Sequence, residues 1–361
     1  MRNGVFYGLF SALLFGSSTP FAKILLEEVA PILLAGLFYV GSGLGLFLLI
    51  LTKRFFSKTP FKREKTVALR FDWGGQKIPA RDIPWLIGST MFGGIAAPML
   101  LMFGISLIPA SSASLLLNSE AVLTSLLAWF VFKENFDWRI MLGMGFIIAS
   151  NALLSFQEFQ FEGIPWGSIF IILSCQCWAI DNNLTRKVSA NDALKISTIK
   201  CSVSGLVLLG AALMMGSEMP NFFTISQSLL VGFLGYGLSL VLFVMALRNL
   251  GTARAGAYFS AAPFCGAALS LLMLQENPSV IFWVAAILMG IGIWIHLTEN
   301  HTHEHSHEEM EHEHLHYHDE HHQHEHDFPW DGTEPHNHQH FHQKLTHSHH
   351  HYPDIHHRHE H

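Results

Sequence analysis

Two kinds of residue in this 361-residue chain could do chemistry: histidines crowded at the carboxyl end, and a few ionisable groups stranded among apolar residues. Of 25 histidines, all but His296 lie in residues 300–361, where His-x-His recurs. In an extended chain the two imidazoles of His-x-His fall on one side, roughly 6.6 Å apart at the backbone, near enough to converge on one ion. Imidazole suits Zn, Ni, Cu and Fe, and the interleaved Asp and Glu add hard oxygen donors and a negative field. The segment is also a tandem duplication. Shifted by 35 positions, His301, His303, His305, His307, His312, His314, His316, His321, His322, His324 and His326 fall on His336, His338, His340, His342, His347, His349, His351, His356, His357, His359 and His361, and Tyr317 and Asp319 fall on Tyr352 and Asp354. A purification tag would not carry a diverged second copy in register, so these histidines are assigned as ligands of a native segment binding a divalent transition metal (Zn, Ni, Co or Cu). The same composition reads alternatively as a passive buffer, or as a pH-responsive tether, since imidazoles titrate near pH ~6.5.

The second kind is rarer. Glu120 falls midway along an apolar run, where an ionised carboxylate costs at least ~2.5–3.5 kcal/mol, so it must face a cavity or be protonated. A carboxyl that is neutral at one step and charged at another is what proton coupling requires; the bland alternative is a protonated Glu bonded within the bundle. Asp181, Asn182 and Asn183, inside Trp-Ala-Ile-Asp-Asn-Asn-Leu-Thr-Arg from Trp178 to Arg186, are the densest polar cluster in any apolar run. On a helix Asp181 and Thr185 share a face while Asn182 and Asn183 point roughly 100° and 200° away, so the three cannot line one pocket. Equally open is an Asp181 pairing with Arg186 or Lys187, with the asparagines as interhelical hydrogen-bond donors. Tyr236, Tyr258, Asn118 and Asn151 are further polar groups in apolar runs, each better read singly as packing.

These groups need helices long enough to hold them in a bilayer. A helix crossing ~30 Å of hydrocarbon takes about 20 apolar residues. Runs of that kind cover residues 5–25, 31–52, 83–107, 111–131, 139–156, 165–186, 194–216, 225–247, 252–273 and 279–298, each bounded by charged, Pro or Gly residues. The expected fold is therefore an all-α integral membrane protein of ten transmembrane helices. Gly41, Gly43, Gly45, Gly93 and Gly94 mark close helix contacts, those of the third run also flexing points. Cys175, Cys177, Cys201 and Cys265 all lie in apolar runs, and read as small packing residues rather than as disulfides or soft-metal ligands. No cleavable leader is evident. Residues 299–361, with almost no apolar residues, cannot bury a core and are expected to be disordered until metal binds.

Charge separates body from tail: residues 1–298 hold 19 Lys+Arg against 14 Asp+Glu, and residues 299–361 hold 2 against 14. With the amino terminus inside, Arg2, the basic 53–82 connection, Lys133, Arg139, Arg186, Lys187, Lys195, Lys200, Arg248 and Arg254 all fall on the cytoplasmic side and only Lys23 toward the other, so both termini and the tail are placed in the cytoplasm.

The body repeats. Residues 113–134 align with 255–276 at an offset of 142; upstream the offset is 163, pairing Gly4 with Gly167, Phe15 with Trp178 and Lys23 with Arg186, the longer 53–82 connection taking up the difference. Five helices per copy is an odd number, so the second copy enters the membrane inverted, an arrangement frequent in secondary transporters. The duplicated layout, Phe15-Gly16-Ser17-Ser18, Trp178-Ala179, and the segments ending at Glu134 and Glu276 resemble the EamA branch of the drug/metabolite transporter superfamily over roughly residues 1–298. Pro263 keeps a proline usual thirteen positions before that glutamate, whereas the first copy has Ala121 preceded by Glu120, so the halves are chemically unequal. The resemblance implies two five-helix domains at 1–157 and 163–298 followed by the tail at 299–361, a small-solute path with no required cofactor, and Ser18 and Thr19 lining it opposite Asp181 and Asn182, with Glu120, Thr185 and Tyr236 as further pathway residues.

The function expected is a secondary, proton-coupled exporter in the inner membrane, partnered by lipid and by a small molecule or metal ion, with a homodimer as a further partner state and no nucleic acid. Transition-metal efflux is the leading specific proposal; a metabolite or amino-acid exporter with a passive tail, and a membrane-anchored metal buffer or chaperone, are the alternatives. No nucleophile–base constellation or cofactor fingerprint marks an enzyme.

Overall fold

A computed structural model describes residues 2–56, 82–132, 138–188, 193–250, 258–297, 302–307, 310–316, 336–342 and 345–350, the last four segments by backbone alone. It divides into two units, residues 1–298 and 299–361.

The first unit is a helical bundle. Its elements are α1 (Arg2–Leu25), α2 (Pro31–Phe56), α3 (Ile83–Ser89) continuing through a π-helical segment (Thr90–Ala96) into α4 (Ala97–Leu107), then α5 (Ala110–Leu116), α6 (Ser119–Phe132), α7 (Trp138–Glu162), α8 (Trp166–Val188) and α9 (Ala193–Met214). There follow α10 (Phe222–Gly232), a second π segment (Phe233–Leu238), α11 (Ser239–Leu250), α12 (Ala262–Met273) and α13 (Val280–Leu297). Pro31 opens α2 at the position where a missing N–H is harmless. Gly163 and Gly216, with φ of 83° and 81°, close α7 and α9 in the left-handed conformation that glycine adopts without penalty. Among the described residues, Gly4–Leu25, Pro31–Thr52, Ile83–Leu107, Leu194–Met214 and Phe222–Phe243 are long and apolar enough to cross a membrane, and Met141–Gln157, Ala262–Met273 and Val280–Ile295 are shorter apolar helices. Leu48, Leu206, Leu272 and Ile287 are more than half exposed on the outer faces, as lipid-facing side chains are, while Leu33, Leu34, Phe38, Leu101, Ile105, Leu116, Ile147 and Ile171 fill the interior.

Four apolar runs read from the sequence as single spans are interrupted. The runs at 83–107 and 225–247 each carry a π segment, and the two segments sit 142–143 positions apart, as the repeat requires. The run at 111–131 is broken at Leu117 and Asn118, where the amides of Leu117, Asn118, Glu120 and Ala121 each bond three residues back rather than four. The Asn118 side-chain Nδ2 also donates to the Leu115 carbonyl at 3.2 Å, the local competition with the helix ladder expected of asparagine. In the second half the matching turn at Ser260 and Ala261 precedes Ala262 and Pro263, and there proline supplies the break.

Packing follows the repeat. α1 packs on α11 and α12, and its counterpart α8 packs on α4 and α6; α2 packs on α9, and α7 on α13. Exchanging the halves maps these contacts onto themselves. The glycines make that closeness possible: a Cβ at Gly41 would meet the Leu229 backbone, one at Gly43 would meet Ser202, and one at Gly45 the Phe233 ring.

In the second unit, β1 (Thr302–His307) pairs antiparallel with β4 (Leu345–His350), and β2 (Met310–His316) with β3 (His336–His342). His-x-His alternation has the period of a strand, so the duplicated copies can pair. A two-stranded ribbon is marginal in water by itself. The register sets histidine opposite histidine, His303 with His349, His305 with His347, His312 with His340, His314 with His338 and His316 with His336. His307 and His342 also lie on the described strands; His301, His321, His322, His324, His326, His351, His356, His357, His359 and His361 lie outside the described residues.

Candidate functional site

The break after α5 decides where Glu120 stands. It falls in the first turn of α6, so in the middle of an apolar run its carboxylate is placed at a helix N-terminus, where unpaired N–H groups and the helix dipole favour negative charge. Its Oε1 accepts a 2.8 Å hydrogen bond from Asn182 Nδ2 on α8, joining the two halves of the chain.

Asp181, one residue earlier on α8, faces elsewhere. Its Oδ1 accepts from Ser89 Oγ at 2.6 Å and from Thr185 Oγ1 at 2.9 Å, and its Oδ2 pairs with the Lys200 ammonium of α9. Both partners are largely buried, at 15 % and 9 % side-chain exposure for Lys200 and Asp181. The side chains of Arg186 and Lys187, whose pairing with Asp181 the sequence left open, lie outside the described residues; among the described residues the ion-pair partner of Asp181 is Lys200. Asn183 Nδ2 returns to the Ala179 carbonyl of its own helix.

The π segment at Thr90–Ala96 lies against this cluster. A wide i→i+5 turn leaves carbonyls free for other donors, and the Gly93 carbonyl accepts from Tyr39 OH at 3.0 Å and Trp178 Nε1 at 3.2 Å. A side chain at Gly93 would overlap the Asp181 carboxylate; at the matching place in the other half, one at Gly235 would meet Ser18 Cβ at 2.8 Å. Ser18 donates instead to the Phe15 carbonyl at 2.6 Å, and Thr19 is buried beside it.

Aromatic rings occupy the middle of the bundle. Phe15 meets Trp178, its counterpart in the repeat, edge-on at 6.4 Å between centroids, and also meets Tyr236 at 5.6 Å and Phe259 at 5.5 Å. Tyr236 in turn touches Phe38 and Tyr39. The structure therefore brings together Glu120 with Asn182, Asp181 with Thr185, and Ser18 with Tyr236 through Phe15. It separates Asp181 from Glu120 by directing them to different partners. Sequence reasoning missed Ser89, Lys200 and Tyr39 as members of this cluster, and of these only Lys200, a cation inside an apolar run, carried a signal; Gly93, read from the sequence as a close helix contact, makes one with Asp181. Among the described residues no group of three or more His, Cys, Asp or Glu is placed to hold a metal ion.

Comparison with known proteins gives a consistent picture. The model of the EamA-like transporter family matches residues 2–156 and again 165–298. An "Uncharacterized transporter" of Methanothermobacter thermautotrophicus is 28% identical over 294 residues, covering 79% of this chain and 83% of that protein. The "Uncharacterized inner membrane transporter YedA" of Escherichia coli K12 is 24% identical over 156 residues, 42% of this chain and 49% of that one. A crystal structure of a protein 15% identical in sequence superposes with a TM-score of 0.57, covering 81% of this chain and 94% of that chain, which speaks to the fold alone.

Proposed function

From the premise that the chain belongs to the EamA-like transporter family, we propose that it is a proton-coupled secondary transporter of ten crossings in two inverted sets of five, carrying a small solute past Glu120 and Asn182 in the inner membrane. The observation that carries the reading is the broken helix that presents the Glu120 carboxylate to Asn182 at the meeting of the two halves. Ionised, the carboxylate is held by the Asn182 N–H and the α6 dipole. Protonated, it loses the charge that the dipole favours and gains an O–H donor while its carbonyl oxygen still accepts from Asn182, so that bond weakens and the new donor can engage another acceptor. One proton thus changes how the halves are tied together. Ser18, Thr19, Thr185 and Tyr236 are the remaining proposed path residues. The lysine and arginine distribution places both termini in the cytoplasm.

One carboxylate, an amide and hydroxyls beside aromatic rings suit a small organic solute better than a bare divalent ion, whose hydration shell takes several hard ligands to replace. The tail favours the second reading, divalent transition-metal efflux: its opposed histidines offer imidazole pairs for Zn, Ni, Co or Cu. In either case the tail binds metal and sets transport to the metal supply.

The test is a flux screen across metals and metabolites in proteoliposomes, with the wild-type chain, Glu120→Gln and a truncation after Asn300. Flux driven by a pH gradient should persist in the truncated chain with an altered metal response, and should fall by about a hundredfold or more in Glu120→Gln, the range for a general acid–base group removed. Loss of all activity on truncation would support a membrane-anchored metal buffer instead. Full gradient-driven flux in Glu120→Gln would end the proton-coupling proposal.

A further inference from the structure

The register of the tail strands sorts residues by face as well as by copy. In an antiparallel pair directly opposed residues share a face, and so do residues two apart on one strand. On the β1/β4 ribbon His303 with His349 and His305 with His347 therefore lie on one face, and Glu304 with Ser348 on the other. On the β2/β3 ribbon His312 with His340 and His314 with His338 share a face, while Glu311 and Glu313 fall on the opposite one. Every histidine of the four strands except His350 falls on one of these two faces, and no carboxylate residue falls on either. A slip of one residue would undo the sorting, setting most of the histidines opposite Ser, Thr, Gln, Asn or Phe.

The duplication makes the two ribbons equivalent. Shifted by 35 positions, His303 and His305 become His338 and His340, and His312 and His314 become His347 and His349. The four histidines of β1/β4 thus map onto the four of β2/β3 with the strands exchanged, as in a self-complementary contact between two copies of one surface. The neighbouring rungs match as well: His307 opposes Leu345 in one ribbon and His342 opposes Met310 in the other. Each set takes two histidines from each copy. The sets are read from register, since these strands are described by backbone. Opposed Cα atoms lie ~4.5–5.5 Å apart, and residues two along a strand roughly 6.6 Å, so four histidines occupy the corners of one small rectangle. Zn takes four ligands tetrahedrally, with imidazole nitrogen at about 2.0–2.1 Å, whereas Ca and Mg require oxygen.

We propose that the tail holds two equivalent all-nitrogen sites for Zn, one made by His303, His305, His347 and His349 and the other by His312, His314, His338 and His340. The proposal rests on the reading of the tail as a metal binder and narrows it: the glutamates interleaved with these histidines are ligands in neither site. Because each site needs both copies and a two-stranded ribbon is marginal by itself, Zn binding and strand pairing are one event.

Zn titration of the full-length chain in detergent, counted against a competing chelator, tests it. His303→Gln and His349→Gln should each remove one tightly held Zn, and the two together should also remove one, because both belong to one site. His303→Gln with His314→Gln, in one copy but in different sites, should remove two. Absorption at the Zn edge should show four imidazoles on each ion, and Zn should slow amide exchange in all four strands. In high salt, where the field of surface charges is screened, Glu304→Gln, Glu311→Gln and Glu313→Gln together should leave count and affinity within about twofold. Two ions lost from the His303→Gln, His349→Gln double variant, one lost from the His303→Gln, His314→Gln variant, or carboxylate oxygen on the bound Zn would each overturn the proposal while leaving a metal-binding tail. Equal Zn binding by the full chain and by a truncation after Asn300 would instead end the reading of the tail as a metal binder, and this proposal with it.

Discussion

Asp181 and Lys200 form a buried ion pair whose members depend on one another. Removing one partner of such a pair leaves an uncompensated charge and costs about 3–5 kcal/mol, whereas replacing both by apolar residues is often neutral. Asp181→Asn should therefore lower thermal stability strongly, and Asp181→Leu combined with Lys200→Met should recover most of the loss, as followed by intrinsic-fluorescence melting in detergent. If the double variant were no more stable than the single one, the pair would have a role beyond mutual compensation. Asn182 should behave differently, since it is exposed and its bond to Glu120 is the tie between halves. Asn182→Leu should leave melting nearly unchanged while shifting the pH profile of flux. What the sequence made legible here was the divergence of neighbours along α8: 100° per residue is enough to separate Asp181 from Asn182. The identity of the partners was not legible, because Ser89 and Glu120 arrive from helices far away in the chain and Lys200 from the next one, and a helical period says nothing about which helix comes alongside.

The helices themselves were legible where length and apolar content decide them, and illegible where packing decides them. Apolar runs mark α1, α2 and α9 within a few residues. Nothing in Thr-Met-Phe-Gly-Gly-Ile-Ala forces a π turn; the extra residue is accommodated because Gly93 must approach Asp181 and lend its carbonyl to Tyr39 and Trp178. Gly93→Ala should accordingly destabilise the bundle, since its Cβ has no room, while Gly145→Ala, with open space around it, should be neutral or slightly stabilising by about 0.4–1 kcal/mol through the unfolded chain. Comparing the melting temperatures and folded yields of the two variants checks the contrast. Equal behaviour would mean that the close approach at Gly93 does not constrain the fold.

At the scale of the whole molecule, two duplications meet in one chain, and both place their copies in contact. In the tail, β1 and β2 come from the first copy and β3 and β4 from the second. Deleting residues 336–361 removes the partner of every described strand, so capacity for Zn or Ni, measured by titration calorimetry on the full chain and the deletion, should fall by more than half. A fall of half would mean that each copy binds metal independently. The duplicated spacing was plain in the sequence; the strand register that sets the copies opposite one another was not, because a repeat fixes similarity and leaves pairing open.

The mutual packing of the body has a further consequence during synthesis. α1 rests on α11 and α12, which lie more than two hundred residues downstream, and α8 rests on α4 and α6. The first half thus leaves the ribosome with its main seams open, and Ser11, whose hydroxyl is destined for the Ser239 carbonyl at 2.7 Å, must wait for most of the chain to be translated. Until then lipid or an insertase has to shield those surfaces. The two copies expressed as separate polypeptides should therefore be degraded when made singly and rescue one another when made together.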